Sequence, residues 1–234
     1  MVLTLIVFAV FILDWLAVGF SWRRVEWIMK PMAIIMVIVW TLTKAGWDFE
    51  PLLVVLIAAQ AFGLAGDVFL LLKSHWFLVG LGSFLLGHLF YNGIALWGLL
   101  DYFRKSGFQE LWAWETLLVI GIWVVLIFLF YFFVTPKSPR LTMPLTLWIP
   151  IQVYGWVLSG LVPLSFLLFF TVSGALTPLI FLPVGAILFN VSDSLLAYDR
   201  FKKKLPRVRV WIMVTYHLAQ ISLAWGFLVW LGYG

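Results

Sequence analysis

The chain has 234 residues, 65% hydrophobic and 11% charged, with a net charge of +5 and a mean hydropathy of +1.11. A soluble domain carries about 45–50% apolar and about 25% charged residues, so too few polar side chains exist here to clothe a water-facing surface, and a sizeable soluble domain is excluded. The basic excess reports membrane topology and lipid headgroups rather than nucleic acid, and with no cysteine there is no disulfide framework, thiolate nucleophile or cysteine-ligated metal.

Cut at charges, prolines and turn residues, the sequence divides into eight apolar segments near the roughly 20 residues that cross a bilayer: 1–20, 28–43, 51–72, 76–100, 114–134, 141–172, 178–199 and 208–232. The first has no basic residues ahead of it and Arg23-Arg24 directly behind it. It therefore reads as a retained helix, although Ala17 and Gly19 mimic a cleavage site. Lys30-Pro31 opens the second segment; Pro suits a first helical turn, and Lys30 is placed as a snorkelling anchor or a headgroup contact. The third carries Gly63, Gly66 and Asp67 in AFGLAGDVFLLL, and the fourth His88, Tyr91 and Asn92 in LLGHLFYNG. The sixth is overlong, holds Tyr154 together with Pro144, Pro150 and Pro163, and is expected to tilt, kink or split. Asn190, Ser192, Asp193 and Ser194 lie in the seventh, GAILFNVSDSLLAY, and Tyr216, His217 and Gln220 in the eighth, TYHLAQ. The period-2 alternation of barrel strands is missing, and helices satisfy their own backbone in lipid. The expected fold is all-α: a polytopic membrane protein with a single domain of eight transmembrane helices over 1–234.

Sorting Lys and Arg by side of the membrane gives Arg23, Arg24, Lys30, Lys73, Lys137, Arg140, Arg200, Lys202, Lys203, Lys204, Arg207 and Arg209 against Lys44, Arg104 and Lys105. The first set is cytoplasmic by the positive-inside rule, which puts both termini on the non-cytoplasmic side. A split sixth segment would send the basic 200–209 loop across the membrane, which favours one span. The fifteen Trp read as headgroup-depth anchors, RFKKKLPRVR as an attraction to anionic lipid, and His75 as interfacial.

An Asp at the centre of a span costs about 2.5–3.5 kcal/mol on insertion scales, so the polar residues inside the segments carry the functional signal. Asp67 and Asp193 each fall about six residues before a basic loop and are expected at one depth. His88 with Tyr91 and Tyr216 with Gln220 are i,i+3 and i,i+4 pairs, each sharing a helix face. Four helices can thus aim polar groups into one pocket in the cytoplasmic half of the membrane. Asp14 reads as a helix-pairing residue. GDVFLLL with His88-Leu89 echoes SDSLLAY with His217-Leu218 at offsets of 126 and 129 residues, compatible with a duplicated four-helix unit. No H-x-x-x-H or similar spacing points to a metal.

Lys-Pro opening segment two, GD before a Leu-rich turn in three, GH…Y in four, Pro and Tyr in six, GAILFNVSDSLLA in seven and TYHLAQ in eight together resemble the YhhN family, which includes the lysoplasmalogenases of animal and bacterial membranes. The resemblance implies hydrolysis of the vinyl ether of a lysoplasmalogen to a fatty aldehyde and a glycerophospho-base. Asp67 and Asp193 would act as the acid and base, much as paired carboxyls serve glycosidases through an oxocarbenium-like transition state. Lys30, His88, Tyr91, Tyr154, Asn190, Ser192, Tyr216, His217 and Gln220 would surround the substrate, and no cofactor is expected. The partner is a lysophospholipid from the cytoplasmic leaflet, and the expected membrane is a bacterial inner membrane rather than endoplasmic reticulum. The alternative is a proton-coupled carrier using the same Asp/His pocket, whose mark would be broken helices at the site.

Overall fold

The computed structural model describes residues 1–72, 74–106, 114–135, 144–172 and 178–233. Lys73, Lys137 and Arg140, three of the residues that set the charge asymmetry, lie outside them. The described residues form α1 (Val2–Gly19), α2 (Arg23–Lys44), α3 (Pro51–Leu71), α4 (Phe77–Ser106), α5 (Trp114–Val134), α6 (Leu145–Val172), α7 (Phe181–Phe201) and α8 (Val208–Trp230), with single 3-10 turns ahead of α4 and α7. All eight helices are long and apolar enough to cross a membrane. The protein is an all-helical, polytopic membrane protein.

Helix ends depart from the apolar segments, as where α4 runs to Ser106 rather than 100. α2 begins at Arg23 rather than 28, so Pro31 lies within the helix and not in its first turn. The polar opening of α2 is helical because it has a partner in the protein: Glu26 accepts from the guanidinium of Arg209 on α8. α6 is one unbroken helix of 28 residues with Pro150 and Pro163 inside it. Two residues after Pro163, Ser165 Oγ donates to the Val162 carbonyl at 2.7 Å.

Sequence neighbours pack as pairs, α1 on α2, α3 on α4, α5 on α6 and α7 on α8, while α4 also packs on α6 and α6 on α7. The centre belongs to α8, which touches α1, α2, α3 and α7 and has 72% of its span buried against 17% for α5. The difference fits the apolar run of α5, whereas α8 brings Tyr216, His217 and Gln220 inside. Helices in lipid associate through close packing of small residues, and α7 meets α8 this way. A Cβ on Gly185 would stand 2.8 Å from the Leu223 backbone nitrogen and 3.1 Å from the Ala219 carbonyl.

Candidate active site

Two buried carboxyls organise the polar interior, each with partners of its own. Asp67, 1% exposed on α3, has Oδ1 at 3.3 Å from Lys30 Nζ, and the Tyr216 hydroxyl lies against it. Lys30 is 6% exposed, so it neither snorkels nor serves as an open headgroup contact. A buried Asp without a counter-charge is expensive, and Lys30 on α2 supplies one. Asp67 Oδ2 is buried without a hydrogen-bond partner.

Asp193, on α7, directs Oδ2 at two groups. The Tyr154 hydroxyl of α6 donates to it, and His88 Nε2 of α4 lies 3.1 Å away. The same His88 nitrogen is 3.1 Å from the Tyr154 oxygen, so the three side chains close a triangle. The Phe189 ring stands edge-on to His88 at 4.4 Å between centroids. Asn92 ties α4 to α6 by donating to the Val157 carbonyl at 2.9 Å, which fixes the register that brings His88 to Tyr154.

A third chain of contacts joins α4 to α8. Tyr91 OH donates to Gln220 Oε1 at 2.7 Å, and Gln220 Nε2 to the Tyr216 hydroxyl at 3.2 Å. The glycines of α3 make room for it and for the neighbouring ring. A Cβ on Gly63 would meet Gln220 Nε2 at 2.9 Å, and one on Gly66 would meet the Phe84 ring at 2.6 Å.

His217 goes elsewhere. It stacks on Phe11 at 4.7 Å and accepts from Trp15 Nε1 at 3.0 Å, with Nε2 3.9 Å from Asp14 Oδ2. Asp14 thus faces α8 from α1 with both oxygens buried and without a hydrogen-bond partner, and the expectation that His217 joins the other polar groups in one pocket is not met. The echo between the halves is correspondingly asymmetric: His88 reaches Asp193, yet the counterpart place beside Asp67 is taken by Lys30. Ser192 bonds the Ile212 carbonyl at 3.1 Å and Asn190 reaches Ser159 at 3.5 Å. Ser192 also lines the cavity that holds both carboxyls, as the sequence reading placed it, whereas Asn190 does not border it.

A cavity of about 500 Å³ connects the two carboxyls. Asp67, Asp193, Tyr216, Lys30 and Phe84 line its interior. Its walls run out through Ser21, Arg23, Leu72, Asp199, Arg200 and Lys204, which are the end of α1, the start of α2, the end of α3 and the end of α7. The two carboxyls expected at one depth thus border one cavity. Sequence reasoning missed Glu26, Phe84 and Arg209; the interior role of Glu26 was visible only as an acidic residue placed one turn from Lys30.

Among the described residues, a bundle of eight apolar helices around a cavity bordered by two buried carboxyls defines a polytopic membrane protein with a polar interior. Residues 25–227 match the model of the YhhN family, and the chain belongs to that family. It is 32% identical over 107 residues to lysoplasmalogenase TMEM86B of Sus scrofa, a match covering 42% of this chain. The matched part spans 47% of that relative's length, about half. No solved structure matches the chain.

Proposed function

We propose that the protein hydrolyses the vinyl ether of a single-chain ether lysolipid of the lysoplasmalogen type, with Asp67 and Asp193 as acid and base. The observation that carries this reading is the convergence of both carboxyls on one cavity that opens among basic helix ends. The name of the pig relative and the shared family point the same way.

The chemistry asks for little beyond those groups. A carboxyl proton is delivered to the alkene carbon remote from the ether oxygen, and the positive charge resides on the neighbouring carbon and the oxygen. Water adds to that carbon while the second carboxylate takes its proton, giving a hemiacetal. Collapse breaks the carbon–oxygen bond to glycerol, the proton goes to the glyceryl oxygen, and an aldehyde leaves. General acid–base catalysis of this kind supplies about 10²–10⁴-fold per group. Tyr154 and His88 hold Asp193 in place, and Lys30 with Tyr216 holds Asp67. Among the charged residues of the mouth, Lys204 is paired with Asp199 and Arg209 with Glu26, so the lipid phosphate is assigned to Arg23 and Arg200. The substrate enters from the cytoplasmic leaflet.

The experiment is an aldehyde-trapping assay of purified protein across vinyl ether and saturated ether lysolipids. Aldehyde from the vinyl ethers alone, abolished by Asp67→Asn and by Asp193→Asn in folded protein, is the expected result. Full activity in either variant removes that residue from the chemistry. The carrier reading lacks its mark, because α3 and α7 run unbroken past Asp67 and Asp193.

A further inference from the structure

Beside the polar cavity lies a second, apolar opening. It runs between α3 and α4 on one side and α5, α6 and α7 on the other, walled by Leu81, Phe130, Ile151, Ala197 and Phe201. Its polar side chains are Tyr154 and Asp193 alone. Leu70, Phe77, Phe84, Leu196 and Asp193 border both openings, so the two adjoin and Asp193 stands where they meet. Asp67 borders only the polar cavity.

The two carboxyls also differ in reach. Tyr154 and His88 both engage Asp193 Oδ2, which leaves Oδ1 clear of these two partners in a residue that lines both openings. Asp67 has Oδ1 engaged by Lys30 and Oδ2 buried without a hydrogen-bond partner, and borders the polar cavity. A single-chain lipid has the matching asymmetry: a charged head, a hydrocarbon chain, and the ether-linked carbons at the boundary between them.

We propose that the apolar crevice receives the alkyl chain of the lipid while the head occupies the polar cavity, so that the first two chain carbons lie against Asp193 Oδ1. Asp193 is then the carboxyl that touches the reacting alkene carbon, and Asp67 acts from the head side. This assignment rests on the ether-lysolipid reading and deepens it. Because free space in the crevice is about 20 Å³, little more than one water fills, the chain enters by displacing the half-buried side chains at its rim, Leu81, Ala197 and Phe201. Bulk added there shortens the chain that fits.

The test uses full-length protein in nanodiscs and two photoreactive probes. Both are 1-O-alkyl lysophosphocholines with a saturated, uncleavable ether, one with a diazirine on the second chain carbon and one with it near the chain end. Labelling is mapped by peptide mass spectrometry. The expected result is label from the first probe on α7 around Asp193, and from the second on Leu81, Phe130 or Ile151. Label on α1, α2 or the outer face of α5, or no saturable label, overturns the proposal. In parallel, Ala197→Phe is assayed with vinyl ether lysolipids of long and short chain. The long-chain substrate is expected to lose about tenfold or more in kcat/KM, in the range that one misplaced group in an apolar pocket produces, while the short-chain substrate keeps its rate. An unchanged chain-length preference in folded Ala197→Phe overturns the crevice. The outcomes separate the two readings: crevice labelling without aldehyde release sinks the hydrolase and leaves a lipid site, whereas aldehyde release with labelling elsewhere sinks the crevice alone.

Discussion

Lys30 Nζ stands 3.3 Å from Asp67 Oδ1 across the α2–α3 contact, with both side chains almost wholly buried. Removing one member of such a pair leaves the other charge without compensation and costs about 3–5 kcal/mol, whereas replacing both by neutral groups of similar volume is often nearly neutral. Lys30→Met is therefore expected to lower the melting temperature in detergent sharply, and Lys30→Met combined with Asp67→Asn to recover most of the loss. Neither variant should release aldehyde. A single mutant that melts with the wild type would show that the pair does not hold α2 to α3.

Around Asp193 the same logic separates chemistry from positioning. Tyr154→Phe deletes the hydroxyl that donates to Asp193 but leaves the carboxyl, the His88 contact and the ring in place. It is expected to reduce kcat for aldehyde release by about 10- to 100-fold with little change in KM, less than the ~10²–10⁴-fold attached to removal of an acid–base group in Asp193→Asn. Equal losses in the two variants would make Tyr154 a participant in proton transfer rather than a support for Asp193.

The sequence made the bundle readable because lipid removes most alternatives: long apolar runs must be helices, and charge asymmetry limits how they alternate. It also made Asp67, Asp193, His88, Tyr91, Tyr216 and Gln220 visible, since each is a polar cost inside an apolar segment. Their partners were harder to read. Helical spacing says which residues share a face but not toward which neighbour that face is turned, so His217 was expected in the pocket although α8, central in the bundle, turns it to Phe11, Trp15 and Asp14. Lys30 was misjudged for a related reason: its place at the start of the apolar run suggested the membrane surface, whereas α2 begins earlier, at Arg23, and the helix face that carries Lys30 is turned to Asp67.

Glycine content alone does not say which glycines hold helices together, but the approach of backbones does. At Gly185 an added carbon meets α8 backbone at 2.8 Å, whereas at Gly121 on α5 nothing stands within 4 Å. Overpacking a tight core costs about 1–3 kcal/mol. Gly185→Val is thus expected to lower the melting temperature and the folded yield, and Gly121→Val to leave both within error. Equal behaviour of the two would mean that the α7–α8 contact is looser than described.

Orientation decides which leaflet feeds the cavity, and the chain's lack of cysteine makes it directly measurable. Twelve of the fifteen Lys and Arg fall on one side of the eight segments, and positive charge near span ends is retained in the cytoplasm. The mouth of the cavity lies on that side, with Arg23, Arg200 and Lys204 around it. Single cysteines at exposed Lys203 and at exposed Ser106, the last residue of α4, report the two faces. An impermeant maleimide added to intact cells is expected to label Ser106→Cys at once and Lys203→Cys only after the membrane is opened. The reverse pattern would put the mouth, both carboxyls and their substrate on the outer leaflet, and supply from cytoplasmic lipid would be ruled out.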